Sequence, residues 1–285
     1  MQDSQDHIPD YTRQELELLQ QILRDTVQPE MIILFGSYAR GDWVAEKTPD
    51  GVHYQYQSDL DILVVTETES QAARLETNTP LNTALSQRIK TPVSLIAHDI
   101  QFLNRRLKKG QYFFTDIQKE GILLYSSGRY TLEQPRELHP RERKLLATDD
   151  FDYWFGKALK LKKGFQLYFD EGDYSEAVFL LHQMTERFLG AILLVFTRYK
   201  PNTHDLGKLL KRASSIEPRM LSVFPQGSEQ ECECFQLLKK AYVDARYKPS
   251  YHISRDQLAW LADRVAILEQ MTKDFCNAKI ASFDQ

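Results

Sequence analysis

MIILFGSYARGD, residues 31–42, and SDLDILVV, residues 58–65, are the stretches that decide the fold of the first half of the chain. Each contains an apolar run of strand length. The first run ends at a Gly-Ser pair, and Asp59 and Asp61 stand at the start of the second. Because side chains alternate across a strand, these two carboxylates share one face of it. Carboxylates so close repel each other, whereas a Mg²⁺ ion, which prefers oxygen ligands, stabilises the pair. We therefore predict a divalent metal site at Asp59 and Asp61.

Gly36 and Ser37 are predicted to form the other half of this site. Glycine lets the backbone approach a phosphate closely, and the N-terminus of a following helix presents free N–H groups to an anion. The Ser37 hydroxyl adds a donor. The order of strand, Gly-Ser turn, helix, loop, Asp-x-Asp and strand thus predicts a site for a metal-bound triphosphate, where an in-line attack at phosphorus takes place.

Strand-like and helix-like segments alternate in the first half of the chain, which predicts an α/β domain. The expected strands are residues 31–35, 60–65 and 92–97 and the end of 113–125. The expected helices are residues 11–27, a segment starting near 38, 69–90 and 99–109, and residues 48–57 are expected to form an exposed hairpin or loop.

The second half predicts an all-α bundle of about five helices. The expected helices are residues 149–169, 174–199, 204–213, 229–246 and 254–279. The predicted class is α+β: an α/β domain with a mixed sheet at 1–128, a linker at 129–148 and the helical bundle at 149–285.

The charge of the chain is unevenly distributed. The net charge of −4 excludes a generally basic nucleic-acid binder, although it leaves room for a local basic groove. Residues 1–128 carry 12 Lys and Arg against 18 Asp and Glu, whereas the remainder carries 24 against 22. An acidic domain that binds a polyphosphate needs a divalent cation between the two, which agrees with the predicted metal site.

Cysteine usage and hydropathy indicate a cytoplasmic protein without a membrane segment. Three cysteines cannot make a disulfide framework, and reduced thiols are typical of the cytosol. The N-terminal residues MQDSQDHIPDY are polar and acidic, unlike a signal peptide. The longest apolar stretch, residues 189–196, is too short to span a bilayer.

GSYARGDW followed by SDLDILVV resembles the GSxARG…SDxD signature of the polymerase-β-type nucleotidyltransferase superfamily, in particular its minimal branch. The resemblance implies transfer of a nucleoside monophosphate, AMP above all, from a nucleoside triphosphate such as ATP to a hydroxyl acceptor, with Mg²⁺ or Mn²⁺. It implies that Gly36 and Ser37 contact the triphosphate and that Asp59 and Asp61 bind the metal and are catalytic. Arg40 matches the arginine of the signature and either pairs with an acidic neighbour or reaches a phosphate.

Two departures from this family pattern bear on activity. Members usually have a third carboxylate on a neighbouring strand, where it helps to activate the attacking hydroxyl. Ser94 stands about at that position here, and His98 and Asp99 at the end of the strand are the candidate substitutes. A missing base costs about 10²–10⁴-fold in rate. The spacer before the second strand is also long, and His53, Tyr54 and Tyr56 in it either reach the acceptor or lie on an exposed loop.

The helical half resembles a HEPN domain over residues 151–271, on the segments DYSEAVFLLHQMTERFLGAIL, THDLGKLL and DARYKPSYH. Many such domains carry an Arg-x4–6-His motif that acts as a metal-independent ribonuclease site, and Arg246 and His252 have an admissible spacing. His252 would exchange a proton with a ribose hydroxyl or the leaving oxygen, and Arg246 would stabilise the phosphate charge. The alternative is structural, with Arg246 at a helix end and His252 on the surface.

The two resemblances also imply partners. The acceptor is expected to be RNA or a protein, and the helical domain is expected to form a homodimer. Transferases paired with HEPN proteins are thought to add AMP to a tyrosine of the partner, which makes Tyr242, Tyr247 and Tyr251 candidate acceptors.

Other polar residues of the helical half are expected to be structural. His182 lies one helical turn from Glu186, which predicts a contact within the helix. His204 precedes a helix start at which Thr203 or Asp205 is the expected cap. The basic residues between 208 and 212 form a helix face that is either solvated or directed at RNA or at the acidic first domain.

Three functions therefore remain open from the sequence. The leading hypothesis is a nucleotidyltransferase fused to a HEPN domain, with a role like that of toxin–antitoxin or defence proteins. The second is a small-molecule transferase of the aminoglycoside-modifying kind, and the third is a nucleotide-binding regulator without catalysis.

Overall fold

The computed structural model describes residues 7–43, 58–76 and 78–284. The chain divides into two compact units, Met1–Glu137 and Leu138–Gln285, and each has its own hydrophobic core. The expected hairpin or loop at 48–57, which contains His53, Tyr54 and Tyr56, lies outside the described residues.

The described part of the first unit contains a four-stranded mixed sheet, as the sequence predicts. Its strands, in chain order, are β1 (Met31–Phe35), β2 (Leu60–Thr66), β3 (Val93–Asp99) and β4 (Ile122–Ser126). The order across the sheet is β3-β2-β1-β4. β2 and β3 are parallel, whereas β1 is antiparallel to both β2 and β4.

Helices cover the sheet. They are α1 (Asp10–Val27), α2 (Ser37–Arg40), α3 (Glu69–Glu76), α4 (Thr79–Arg88), α5 (Ile100–Lys108) and α6 (Tyr112–Glu120). Alternate residues of β1 and β2, including Leu34, Leu60 and Ile62, pack into one core with α1, α3 and α4. Strand alternation therefore directs Asp61 to the opposite face of the sheet, where the ring of Phe35 meets Phe113 of α6 edge to face at 5.6 Å.

One helical segment of the first unit differs from the expectation, and another is very short. The helix after the Gly-Ser pair is a single turn, α2. The segment expected to be one helix at 69–90 is divided into α3 and α4. Asn78 accepts a hydrogen bond from the N–H of Leu81 at 3.0 Å, and Pro80 stands in the first turn of α4. Because proline has no N–H, it favours the start of a helix over its interior.

The second unit is helical, as predicted. Its α-helices are α7 (Pro140–Glu171), α8 (Tyr174–Thr197), α9 (Leu206–Ile216), α10 (Glu229–Lys240), α11 (Asp244–Tyr247) and α12 (Arg255–Ala281), and two 3₁₀ helices span Pro218–Val223 and Ser282–Asp284. α8 is long and apolar enough to cross a membrane, but 72% of that window is buried inside the protein. It contributes the largest share of the core of this unit.

The largest differences from the expectation in this unit concern two of the expected helices. α7 begins at Pro140, inside the segment expected to be a linker at 129–148, because Pro140 occupies its first turn and His139 Nδ1 accepts from the N–H of Arg141 at 3.3 Å. The helix expected at 229–246 is divided into α10 and α11, and Tyr242 lies in the turn between them.

Candidate active site

The Gly-Ser turn at the end of β1 lies directly against Asp61. Gly36 has φ 74° and ψ −153°, a backbone conformation that is essentially restricted to glycine. A Cβ atom on Gly36 would lie 2.3 Å from Oδ2 of Asp61. This contact arises because Phe35, the last residue of β1, pairs with Asp61 across the antiparallel ladder. A side chain at position 36 would therefore collide with the Asp61 carboxylate, which explains the glycine there.

Asp59 and Asp61 frame the start of β2. Both residues are partly exposed, whereas Leu60 and Ile62 are fully buried. This alternation agrees with the prediction that the two carboxylates share one side of the strand. Among residues 7–43, 58–76 and 78–284, no group of three or more His, Cys, Asp and Glu side chains is arranged to hold a metal ion. A pair of carboxylates nevertheless fits Mg²⁺, which takes one or two protein carboxylates and completes its shell with water and substrate phosphates.

Ser37 and Arg40 lie at the two ends of α2. Ser37 is partly exposed at the helix start, and its carbonyl oxygen accepts from the N–H groups of Gly41 at 2.9 Å and Asp42 at 3.1 Å. Arg40 is exposed, and its Nε donates to Oδ2 of Asp42 at 3.1 Å. Of the two roles weighed for Arg40, the structure thus contains the pairing with an acidic neighbour, a surface ion pair of small energetic weight.

Ser94 occupies the position beside Asp61 on the parallel neighbour strand β3. Side chains in register on neighbouring strands face the same side, so Ser94 shares the face of the carboxylates. His98 lies four residues further along β3, roughly 13 Å away at the rise of a strand. Its ring stacks on Phe102 at 4.3 Å, and Oδ1 of Asp99 accepts from the N–H of Phe102 at 2.8 Å. Neither candidate substitute for the third carboxylate therefore lies beside Asp61.

Arg246 of α11 is held among aromatic rings. Its Nε donates to the carbonyl oxygen of Tyr242 at 2.6 Å. Its guanidinium carbon lies 4.6 Å from the ring centre of Tyr242, 4.8 Å from that of Phe179 and 4.9 Å from that of Tyr247. His252 is exposed, and within the described part of the chain no hydrogen bond or ring contact joins it to Arg246. Their pairing as a ribonuclease site stays a prediction.

The three candidate acceptor tyrosines differ in accessibility. The hydroxyl of Tyr251 donates to the carbonyl oxygen of Leu237 at 2.9 Å, and burial raises its pKa. Tyr242 is partly buried between aromatic neighbours. Tyr247 is 70% exposed, so it is the most accessible hydroxyl of the three.

Glu186 of α8 forms a polar cluster that the sequence did not predict. Its Oε1 lies 3.1 Å from Nζ of Lys200, and its Oε2 lies 2.8 Å from Nδ1 of His204. The His204 ring in turn stacks on Tyr242 at 4.0 Å. The hydrogen bonds and ion pairs of Glu186 go to Lys200 and His204, and none joins it to His182, one helical turn away, among the described residues. Asp205 caps α9 as expected, since its Oδ1 accepts from two N–H groups of the first turn.

His182 is fully buried beside this cluster. Its Nδ1 donates to the carbonyl oxygen of Leu238 at 2.9 Å. Its Nε2 is buried and has no hydrogen-bond partner among the described residues. A structural role for His182, as the sequence suggested, agrees with this burial.

Family models match both units. The model described as polymerase beta, nucleotidyltransferase, matches residues 17–130, and the model described as HEPN domain matches residues 151–272. The chain is a nucleotidyltransferase–HEPN fusion. Both resemblances seen in the sequence are therefore confirmed. No curated protein matches the chain.

The nucleotidyltransferase match covers all four strands, and the matched residues also include the Gly-Ser turn and both aspartates. The HEPN match covers Glu186, His204 and Arg246. The sequence flagged the segment THDL but gave no signal for a partner of His204, because Glu186 stands 18 residues earlier in the chain. Only the packing of the loop before α9 against α8 brings the two side chains together.

The shifted pKa values of two buried groups, His182 and Glu186, predict that the HEPN domain loses stability in acid. Burial lowers the pKa of His182 from its usual 6.5. Burial raises the pKa of Glu186, but His204 and Lys200 outweigh it and hold that pKa below its usual 4.5. A lowered pKa in the folded state means that the unfolded chain binds more protons. The stability that these groups contribute is therefore fully present above their pKa values in the unfolded chain. It is lost as the pH falls through their pKa values in the folded protein.

We therefore expect the free energy of unfolding to decrease as the pH falls below 6.5 because of His182, and further below 4.5 because of Glu186. Denaturant unfolding at several pH values measures this slope. His182→Asn, which keeps a donor for Leu238, should flatten the decrease that begins near 6.5. His252→Asn, at an exposed histidine, is the control that leaves it unchanged. An equal slope in wild type and His182→Asn would contradict the assignment.

Proposed function

We propose that the first domain transfers a nucleoside monophosphate, AMP from ATP in particular, to a hydroxyl acceptor. The observation that carries this proposal is the contact between the Gly36 backbone and the Asp61 carboxylate. It brings the turn suited to a phosphate and the carboxylate suited to a metal ion to one point. The family match supports the same reaction class.

Asp59 and Asp61 would hold Mg²⁺ or Mn²⁺, which when bound neutralises phosphate charge and polarises the phosphorus under attack. Gly36 leaves the backbone open to the triphosphate, and the Ser37 hydroxyl donates to a phosphate oxygen. The acceptor oxygen forms a bond to the α-phosphorus as its proton passes to water, the bond to the bridging oxygen breaks, and pyrophosphate leaves. Ser94 offers no carboxylate to take the acceptor's proton, so we propose that the transfer is slow.

The missing carboxylate also favours a second candidate, a nucleotide-binding regulator that does not catalyse. Ser94 beside Asp61 is the observation behind it. The two candidates differ in one measurable respect, because a regulator binds ATP and releases it unchanged.

Incubation with ATP labelled at the α-phosphate, with and without Mg²⁺, tests the proposal. We expect slow incorporation of label into an acceptor and a loss of at least about 10²-fold in Asp61→Asn, the scale of losing one preorganised electrostatic contact. Asp25→Asn, an exposed carboxylate of α1, is the matched control and should keep the wild-type rate. EDTA should abolish the transfer.

The location of the label separates the remaining alternatives. Label on the protein itself supports a protein acceptor, for which the exposed Tyr247 is the first site to examine by mass spectrometry. Label on an added aminoglycoside supports the small-molecule transferase. Retention of ATP without turnover supports the regulator and contradicts the transferase.

The wider biological setting is proposed on the family matches alone. A nucleotidyltransferase joined to a HEPN domain suits a toxin–antitoxin-like or defence protein that acts in the cytoplasm on protein or RNA. The HEPN domain is the proposed surface for a homodimer.

A further inference from the structure

A partly exposed aromatic ring lies close to the Asp61 carboxylate, and the proposed transfer leaves it without a role. Phe113 of α6 meets Phe35 edge to face, with the ring centres 5.6 Å apart. We propose that the Phe113 ring stacks on the nucleobase of the bound nucleoside triphosphate and thereby favours purine over pyrimidine nucleotides. The inference rests on the proposed function, because it names what the same site recognises besides the phosphates.

Strand register places Phe35, Asp61 and Ser94 in one row across three strands. Phe35 of β1 pairs with Asp61 of β2, and Asp61 stands in register with Ser94 of β3. Side chains in register on neighbouring strands share a face of the sheet. The carboxylate is therefore flanked by an aromatic ring on the β1 side and by a hydroxyl group on the β3 side.

The predicted phosphate position is on the aromatic side of this row. Gly36 follows Phe35 directly, and its backbone lies against the Asp61 carboxylate. The ring centre of Phe113 lies within roughly 15 Å of the Asp61 Cβ atom, given the usual spacing of a cross-strand pair and the contact between the two rings. An extended nucleoside triphosphate spans a comparable distance. Its base can therefore reach the Phe113 ring while its phosphates stay at the turn.

The neighbours of Phe113 fix the plane of its ring. Phe35 meets it at an interplanar angle of 86°, and Phe114 meets it at 76° with the ring centres 5.1 Å apart. Both of these neighbours are buried, whereas Phe113 is partly exposed. Edge-to-face contacts of this kind are favourable and directional. A ring that is held in place before the ligand arrives loses little conformational freedom when a base stacks on it.

Stacking on such a ring distinguishes nucleobases by their size. Every base has a face that can stack on an aromatic side chain, so no nucleotide is excluded, and preferences follow the strength of stacking. A purine presents a larger ring surface than a pyrimidine does. We therefore expect ATP and GTP to bind more tightly than CTP and UTP.

Phe102 of α5 provides a matched control within the same group of rings. It is partly exposed, as Phe113 is, and its ring lies edge to face with Phe114 at 5.8 Å. Its other ring neighbour is His98, stacked at 4.3 Å, which stands four residues beyond Ser94 on β3. That separation is roughly 13 Å along the strand, so Phe102 lies far from the carboxylate.

The test is a calorimetric titration of the full chain with the Mg²⁺ complexes of ATP, CTP and inorganic tripolyphosphate. Phe113→Leu removes the ring and keeps an apolar side chain, so it should bind ATP about 10-fold more weakly, the scale of one stacked base, and lose the preference for ATP over CTP. Its affinity for tripolyphosphate, which has no base, should equal that of the wild type. Phe113→Tyr keeps the ring and should bind ATP as the wild type does, and Phe102→Leu should do so as well.

The three ligands separate failure of this inference from failure of the proposed function. Equal affinity of the wild type for ATP and CTP would overturn the role of Phe113 while leaving the phosphate site in place. So would unchanged ATP binding in Phe113→Leu, or a loss that is the same for ATP and tripolyphosphate, since the latter indicates a damaged fold. Binding of neither ATP nor tripolyphosphate by the wild type would overturn the proposed function together with the inference.

Discussion

Gly36→Ala is expected to slow nucleotide transfer by at least about 10²-fold. The added Cβ atom would lie 2.3 Å from Oδ2 of Asp61, so the carboxylate must move away from the turn. The backbone at φ 74° and ψ −153° is also unfavourable for alanine and costs about 1–3 kcal/mol. Transfer of label from α-labelled ATP measures the first effect, and thermal unfolding measures the second.

Gly128→Ala is the matched control for this substitution. Gly128 also has a positive φ, 77°, but a Cβ atom there would meet nothing within 4 Å. It therefore reports the cost of backbone strain alone. We expect Gly128→Ala to lower the melting temperature while keeping the rate of transfer. If both variants lose activity equally, the contact with Asp61 is not what Gly36 provides.

Ser94→Asp is expected to accelerate transfer by about 10²-fold, the lower end of what a general base contributes. The new carboxylate would stand beside Asp61 on β3, where the Asp61–Ser94 register already directs the side chain to the same face. Initial rates of label transfer measure the gain. Because three carboxylates would then repel one another, we also expect this variant to melt earlier without Mg²⁺ and to be restored by the ion.

Ser94→Asn separates charge from shape, since asparagine has the size of aspartate without its negative charge. It should show neither the acceleration nor the dependence of stability on Mg²⁺. An Asp variant no faster than the Asn variant would mean that a missing base does not limit the reaction. The non-catalytic regulator would then be the better account of the first domain.

Much of the fold followed from local patterns. The apolar run at 31–35 coincides with β1, and the run that follows Asp59 coincides with β2 to within one residue. Apolar residues at helical spacing located α1, α8 and α12, because each buries one continuous face or, for α8, nearly its whole surface. At two of the places where the structure differs, a capping side chain marks the start of the helix, Asn78 before α4 and His139 before α7.

The candidate site was predictable as a set of residues, but not as a geometry. The Gly-Ser pair and Asp-x-Asp could be read together because alternation along a strand is a local property. The roles left open for Arg40 and for His98 depended on side-chain contacts that the sequence pattern does not specify, although the partners stand only two and four residues away. Asp42 proved to be the partner of Arg40, and Phe102 the neighbour of His98 at the far end of β3.

The sequence by itself determined the strands, most helices, the division into an α/β and a helical half, and the residue types of the first site. These features depend on periodicity and on contacts within a few residues. Only the tertiary structure decided that Gly36 lies against Asp61, that Ser94 stands beside it, and that Glu186 holds His204. Strand register and helix packing set these distances, and both arise from the burial of side chains far apart in the chain, which no local pattern encodes.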